Sequence, residues 1–278
     1  MEFIVRYGEI FLKGKNRKVF ENRLITNIYD FLKKERVEGK IFNKRNRLVL
    51  DVEKNVNLRK VFGISTYSSS HSCEPDIEQI KKLILSIIKE IKFSDKKSFR
   101  VTSKNSDKSI QLCSLDINKE IGSFIVEQTG AKVDLSNPNV NFQIEVFGKK
   151  AYVFLDSTIC FGGLPVGVEG KVGCLVEDEK SVLSTILVMK RGCMPVLAVK
   201  NNYDVSLIEK FAHGFKLKII NVKDFLNIET FFEKNDCVAI ITGETLNSCF
   251  FESSMPVFRP LIGFSDKQIK TQLKVFSI

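Results

Sequence analysis

The six residues Val176-Glu177-Asp178-Glu179-Lys180-Ser181 stand where an α/β protein would do phosphate chemistry. An apolar run, Val172 to Val176, precedes them and reads as a strand. A helical pattern, Lys180 to Arg191, follows. Between a strand and a helix N-terminus, bare backbone N–H groups and the helix dipole attract anions. This loop carries no glycine and three carboxylates, so it opposes an anion. The carboxylates read first as a solvated, dipole-favoured helix start and second as a divalent-metal cluster. A second loop, Thr242-Gly243-Glu244, closes the apolar run Cys237 to Ile241. Seven cysteines are scattered without a CxxC pair, which argues for a reducing cytoplasm and against a disulfide framework or a zinc ribbon. Cys193 and Cys249 lie nearest the loop. Cys174 and Cys237 sit in strand patterns and read as core. His71 and His213 have no partner visible in sequence and read as loop or surface residues.

The second chemistry-bearing feature is charge. The net charge is +10, and residues 1–60 hold 16 Lys and Arg against 8 Asp and Glu. Residues 61–170 are balanced, 13 against 13. An excess confined to one segment points to a polyanionic partner there, nucleic acid first; the plainer reading is a solvated basic surface. Lys13, Lys15, Arg17 and Lys18 crowd a turn around Gly14 and the start of a helix. Lys44, Arg45 and Arg47 lie in a strand pattern. Lys104 and Lys108 occupy a polar loop.

The elements that must position these residues fall into two unlike halves. Residues 1–52 read as strand, helix, strand, compatible with a small ferredoxin-like domain. Pro75-Asp76 starts a helix with an isoleucine stripe, and Ser114 is expected to cap a second helix closed by Gly130. Strand patterns follow over 140–146 and 151–156. Gly162 to Gly170 is expected to be an exposed hinge, leaving residues 1–170 as an autonomous unit. Beyond it, apolar runs alternate with helical patterns, including one over 204–213, as in a parallel α/β unit. The fold class is therefore an α+β N-terminal half followed by an α/β parallel-sheet domain. No run approaches a membrane span, and Met1 to Ile10 reads as a strand rather than a signal peptide.

A series of short motifs in fixed order carries a resemblance. It runs through Arg6-Tyr7-Gly8-Glu9-Ile10, Leu12-Lys13-Gly14-Lys15-Asn16-Arg17 and Val61-Phe62-Gly63-Ile64. It continues with Asp107-Lys108-Ser109, Val133-Asp134-Leu135, Asn137-Pro138 and Gly162-Gly163-Leu164-Pro165-Val166-Gly167. It ends with Met189-Lys190-Arg191-Gly192, Thr242-Gly243-Glu244 and Arg259-Pro260-Leu261-Ile262-Gly263. The chain thereby resembles the tRNA 4-thiouridine synthetases, the thiamine-biosynthesis sulfurtransferase family. The resemblance implies a ferredoxin-like domain over 1–60, a THUMP domain over 61–165 and a PP-loop ATP-pyrophosphatase domain over 172–278. In that family the first two grip tRNA, while the third adenylates a uridine and a persulfide cysteine delivers sulfur.

The third domain departs from the family's Ser-Gly-Gly-x-Asp-Ser loop. Counted back from Met189, those positions are Val176 to Ser181, and only Ser181 remains. The stretch from Gly192 to Thr242 is short, and no cysteine maps onto the persulfide position. Two readings stay open. In one, the chain binds tRNA through Lys13, Lys15, Arg17, Lys18, Lys44, Arg45, Arg47, Lys104 and Lys108, with no catalytic residue, metal or cofactor of its own. It would then serve a catalytic partner. In the other, Ser181, Thr242, Gly243 and Glu244 hold ATP with Mg, and a sulfur-donor protein completes a sulfurtransferase.

Overall fold

The computed structural model describes residues 1–44, 46–248 and 250–277. Arg45 and Cys249 lie outside the described residues. The chain opens with β1 (Glu2–Arg6), a 3-10 segment (Glu9–Asn16), α1 (Arg17–Lys34), β2 (Gly39–Lys44) and β3 (Arg47–Val52). It continues with a 3-10 turn (Leu58–Lys60), β4 (Thr66–Cys73), α2 (Ile77–Glu90), β5 (Ser98–Asn105) and α3 (Ser114–Thr129). Next are β6 (Lys132–Val133), β7 (Val140–Phe147), β8 (Lys150–Phe154), β9 (Thr158–Ile159) and β10 (Lys171–Val176). Then come α4 (Glu179–Lys190), β11 (Met194–Lys200), α5 (Ser206–Glu209), β12 (Lys218–Val222) and α6 (Ile228–Glu233). The chain closes with β13 (Cys237–Ile241), β14 (Val257–Phe258) and α7 (Asp266–Phe276). Backbone proximity divides it into two units interleaved in sequence. One comprises Met1–Arg6, Glu38–Val56 and Thr66–Ile159; the other comprises Tyr7–Val37, Asn57–Ser65 and Cys160–Ile278.

In the first unit, nine strands among the described residues form one sheet, ordered β2-β3-β1-β4-β8-β7-β5-β6, with β9 beside β4. The junction is β4, which pairs with β1 over Thr66–Ser70 and with β8 over His71–Cys73. Its sequence, TYSSSHSC, is too polar for an alternation rule to mark as a strand. The buried hydroxyls are nonetheless bonded. Arg6 Nη1 donates to Ser68 Oγ at 3.0 Å, and Ser70 donates to the Glu2 carbonyl at 3.3 Å. A buried hydroxyl with a partner escapes the desolvation penalty that would otherwise exclude it.

The two helices of this unit bury isoleucines: Ile80, Ile84 and Ile88 from α2, and Ile117, Ile121 and Ile125 from α3. These cluster with Phe99, Phe142 and Ile144 of the sheet. Each such side chain contributes about 2 kcal/mol of apolar burial. Asp76 caps α2, accepting the N–H groups of Glu78 and Gln79. Gly130 closes α3 in the left-handed region. Ser114 is not the N-cap: Cys113 precedes the helix, and Ser114 Oγ instead accepts the Asn105 N–H at 3.1 Å.

In the second unit, the described residues place five parallel strands in the order β12-β11-β10-β13-β14. From β10 the chain goes outward to β11 and β12, then crosses back to β13 and β14. That reversal opens a crevice beyond the carboxyl ends of β10 and β13, the place where open α/β sheets hold ligands. Helix α4 packs Val182, Leu183, Ile186 and Met189 into a core with Val176, Leu197 and Ile241. The C-terminal α7 adds Ile269 and Phe276. Only Ser206–Glu209 of the expected 204–213 helix forms as α-helix.

The glycine-rich stretch over 162–170 corrects an expectation. It is not an exposed hinge: Gly163 to Val166 are buried. The carbonyl of Val166 accepts Arg23 Nε at 2.7 Å and Asn27 Nδ2 at 3.2 Å, both from α1. Gly167 has φ +96°, and a Cβ there would collide with the Arg23 guanidinium. Further along α1, Lys34 donates to the Ala212 carbonyl and Asp30 accepts the Gly214 N–H at 2.8 Å. Helix α1 is therefore fastened to residues far downstream. No described helix is long and apolar enough to cross a membrane.

Candidate functional site

The crevice at the ends of β10 and β13 is a cavity of about 460 Å³. Ser181, Thr242, Gly243 and Glu244, the four residues singled out for nucleotide, all line it. The β13 loop reaches the start of α4 because residue 243 is glycine. A Cβ there would overlap the backbone of Ser181. From α4, Ser184 Oγ donates to the Thr242 carbonyl at 2.6 Å and fixes the two loops together.

The polar groups of this cavity are already engaged with one another. Asp178 is the N-cap of α4, and its carboxylate accepts the Ser181 N–H at 2.8 Å. Ser181 Oγ accepts the backbone N–H groups of Glu177 and Asp178, both at 3.0 Å. Three backbone N–H groups around the start of α4, those of Glu177, Asp178 and Ser181, are thus spent inside the loop. Lys200 pairs with Glu177 at 2.7 Å, and Lys180 pairs with Asp266 at 2.9 Å. Glu244 accepts Thr242 Oγ1 at 2.8 Å, Arg259 Nε at 2.7 Å and the Phe251 N–H. The run Glu177-Asp178-Glu179 gathers no further ligands. Among the described residues no three His, Cys, Asp or Glu side chains are grouped to hold a metal.

Five of the described thiols are displaced away from activation. Burial pushes Cys73 and Cys237 up to about 11 and Cys160 up to about 12, with Cys174 raised further. Cys193 is also raised by burial. A nucleophilic cysteine needs the opposite displacement.

Comparison with known proteins bears directly on this arrangement. Residues 2–68 match the ThiI ferredoxin-like domain, and residues 74–156 match the THUMP domain. A "probable tRNA sulfurtransferase" of Methanocaldococcus jannaschii is 30% identical, covering 97% of this chain and 86% of that protein. One from Thermotoga maritima is also 30% identical, covering 98% and 83%. The chain belongs to the tRNA sulfurtransferase family. The alignment with the Methanocaldococcus protein spans 328 positions against a 278-residue chain, so that sulfurtransferase carries segments without a counterpart here. The crystal structure of PH1313 from Pyrococcus horikoshii matches with a TM-score of 0.87 and 27% identity, covering 100% of this chain and 99% of that one. A 4-thiouridine synthetase–RNA complex with bound ATP matches at 0.83 and 26%, covering 99% and 84%.

The basic residues of this sulfurtransferase-family chain divide by environment. In the first unit Arg47 is buried, within 2.5 Å of Glu145 and over the Phe147 ring. Arg6 meets the same carboxylate at 2.9 Å. Lys44 is half-buried, while Lys104 and Lys108 are exposed. In the second unit Lys13 pairs with Glu169 at 3.0 Å, and Arg17 pairs with Glu21 at 2.6 Å. Lys15 and Lys18 are exposed, and no ion pair among the described residues involves them. Sequence reasoning passed over Glu21 and Glu145, and gave Arg259 only as part of a motif, without a role. The i, i+4 spacing of Arg17 and Glu21 on a helix was the one local signal available.

Proposed function

We propose that this chain is a tRNA-binding member of the sulfurtransferase family whose α/β domain does not carry out adenylation or sulfur transfer. One observation carries the proposal: at the start of α4, the N–H groups of Glu177, Asp178 and Ser181 are bonded within the loop. The residues present do not fit a triphosphate. Glycines that would let backbone N–H groups close on phosphate are replaced by Glu177 and Asp178. A carboxylate about 4 Å from a phosphate costs about 1 kcal/mol in water and several at a protein surface. The five raised thiols are poor candidates for a persulfide carrier. The THUMP and ferredoxin-like matches, and the RNA in the related synthetase structure, support tRNA as the partner. The proposed phosphate-binding side chains are Lys15, Lys18, Lys44, Lys104 and Lys108, the described members of the basic set that are neither buried nor held in an ion pair. The bound tRNA would be passed to a catalytic partner. A gel-shift series with tRNA over increasing salt tests the binding. Affinity that falls with salt supports it, and absence of binding at low salt overturns it.

A second reading is favoured by the cavity itself, since Ser181, Thr242, Gly243 and Glu244 share it. In that reading the chain is an ATP-dependent tRNA uridine sulfurtransferase with an altered site and an external sulfur donor. Formation of 4-thiouridine in tRNA incubated with the protein, Mg-ATP and a sulfide source would favour it.

A further inference from the structure

We propose that Tyr7, Arg17 and Glu21 are positioning residues that hold the basic 3-10 segment, residues 9–16, in the shape that tRNA meets. This inference rests on the tRNA-binding reading and adds to it. Arg17 looks from sequence like a phosphate-binding residue, yet its guanidinium is turned inward. Nε donates to Glu21 Oε1 at 2.6 Å, and Nη2 donates to the Tyr7 hydroxyl at 3.2 Å. The Tyr7 hydroxyl donates in turn to Glu21 Oε1 at 2.6 Å. The guanidinium lies 4.7 Å over the Phe11 ring, and Phe11 stacks on Tyr7 at 5.1 Å. Tyr7 is 1% exposed and Glu21 9%, while the Arg17 side chain is 28% exposed, so the triad is a polar knot anchored in the interior beneath the segment. Burial and the Glu21 carboxylate push the Tyr7 phenol up to about 12, which keeps it protonated and donating.

The segment needs such a knot because its own backbone is irregular. It turns at Gly14, with φ 51° and ψ −122°. Besides the buried Ile10, its other side-chain fastenings are ion pairs at the surface: Glu9 to Arg191 at 2.8 Å and Lys13 to Glu169 at 3.0 Å. Lys15 and Lys18, on either side of Arg17, remain exposed. The triad thus joins the turn that carries Lys15 to the first turn of α1, which carries Lys18.

Two accounts of Arg17 give opposite signs for one substitution. If Arg17 binds phosphate and Glu21 restrains it, deleting that carboxylate frees it and tightens tRNA binding. If the triad positions the segment, deleting the carboxylate leaves Arg17 without its counter-charge and Tyr7 without its acceptor. Binding then weakens even though the net charge rises. The experiment measures tRNA affinity at fixed salt for the unaltered chain, Glu21→Ala, Glu21→Gln and Tyr7→Phe, with melting curves for each. Glu21→Ala is expected to weaken binding about tenfold, and Glu21→Gln, which keeps an acceptor oxygen, to recover most of it. Tyr7→Phe is expected to weaken binding by a smaller factor without a change of charge, and it decides the matter if Glu21→Ala does not fold. Equal tightening by both Glu21 variants, or unchanged affinity for Tyr7→Phe, overturns the positioning role. Failure of the unaltered chain to bind would instead remove the tRNA reading beneath it.

Discussion

The hydroxyl of Ser181 accepts the backbone N–H of Glu177 at 3.0 Å. It also donates to the Asp178 carboxylate at 2.8 Å, while that carboxylate accepts the Ser181 N–H. This is a capping box, a device for stabilising a helix rather than for holding a ligand. Ser181→Ala and Asp178→Ala should therefore each destabilise the chain by about 1 kcal/mol. Urea unfolding measures it. A ligand-binding loop held under strain would show no loss, or a gain.

The fastening of α1 to the glycine segment and to residues 212–214 makes a prediction about truncation. A fragment ending at residue 170 lacks the Ala212 and Gly214 partners of Lys34 and Asp30, together with the His213 ring that Phe31 meets edge to face. It should melt well below the full chain, with reduced cooperativity. Gly167→Ala in the full chain should lower the melting temperature through both its positive φ and the crowding of Arg23. Calorimetry of the two proteins checks both statements.

His213 gives a pH dependence with a defined direction. Burial, first, and the nearby Lys34 lower its pKa from 6.5 to about 4, against the opposing pull of Asp30. The unfolded chain therefore binds this proton more readily than the folded chain between those values. The contribution to stability is full above pH 6.5 and is lost as pH falls toward 4. Its upper size is about 3 kcal/mol. The carboxylate of Asp30, whose own pKa is lowered, titrates below this window. Urea unfolding from about pH 7 to about pH 4.5 should show stability falling, and His213→Phe should flatten that slope.

Much of the fold was legible beforehand, and the failures have physical causes. The alternation of Val140, Phe142, Ile144 and Val146 and the isoleucine stripe of α2 marked their elements directly, because one face of each is buried. Strand β4 escaped because two of its three buried side chains are serines, with partners on β1, far away in sequence. The roles of Arg17 and Arg47 escaped for a related reason. A run of cations announces charge, but whether each faces solvent depends on where Glu21 and Glu145 lie. The shared cavity of Ser181 and Thr242-Gly243-Glu244 was foreseeable, since both loops follow strands of one parallel sheet. That the loop bonds its own N–H groups was not, because a capping box and a phosphate loop occupy the same place in sequence.

The basic residues can be separated by two readouts. Lys15→Ala and Lys18→Ala together should leave the melting temperature nearly unchanged and flatten the dependence of tRNA affinity on salt, by about 0.7–0.9 for each lysine removed. Arg47→Ala should act on stability instead. Among the described residues it leaves the largely buried Glu145 carboxylate with Arg6 as its remaining cation, a loss of about 3 kcal/mol. Gel shifts over a salt series and thermal melts distinguish the two classes.

Calorimetry with Mg-ATP on the unaltered chain tests most directly whether the α/β domain still takes the nucleotide. Glu177 and Asp178 stand where the family's loop has glycines, and the N–H groups of Glu177, Asp178 and Ser181 are already bonded within the loop. Restoring the loop alone (Val176→Ser, Glu177→Gly, Asp178→Gly, Lys180→Asp) should raise nucleotide affinity without producing thiolation. For the unaltered chain, no binding tighter than about millimolar is expected, about 4 kcal/mol of binding free energy or less. A micromolar affinity, twice that free energy, would contradict the account and make the sulfurtransferase reading the leading one.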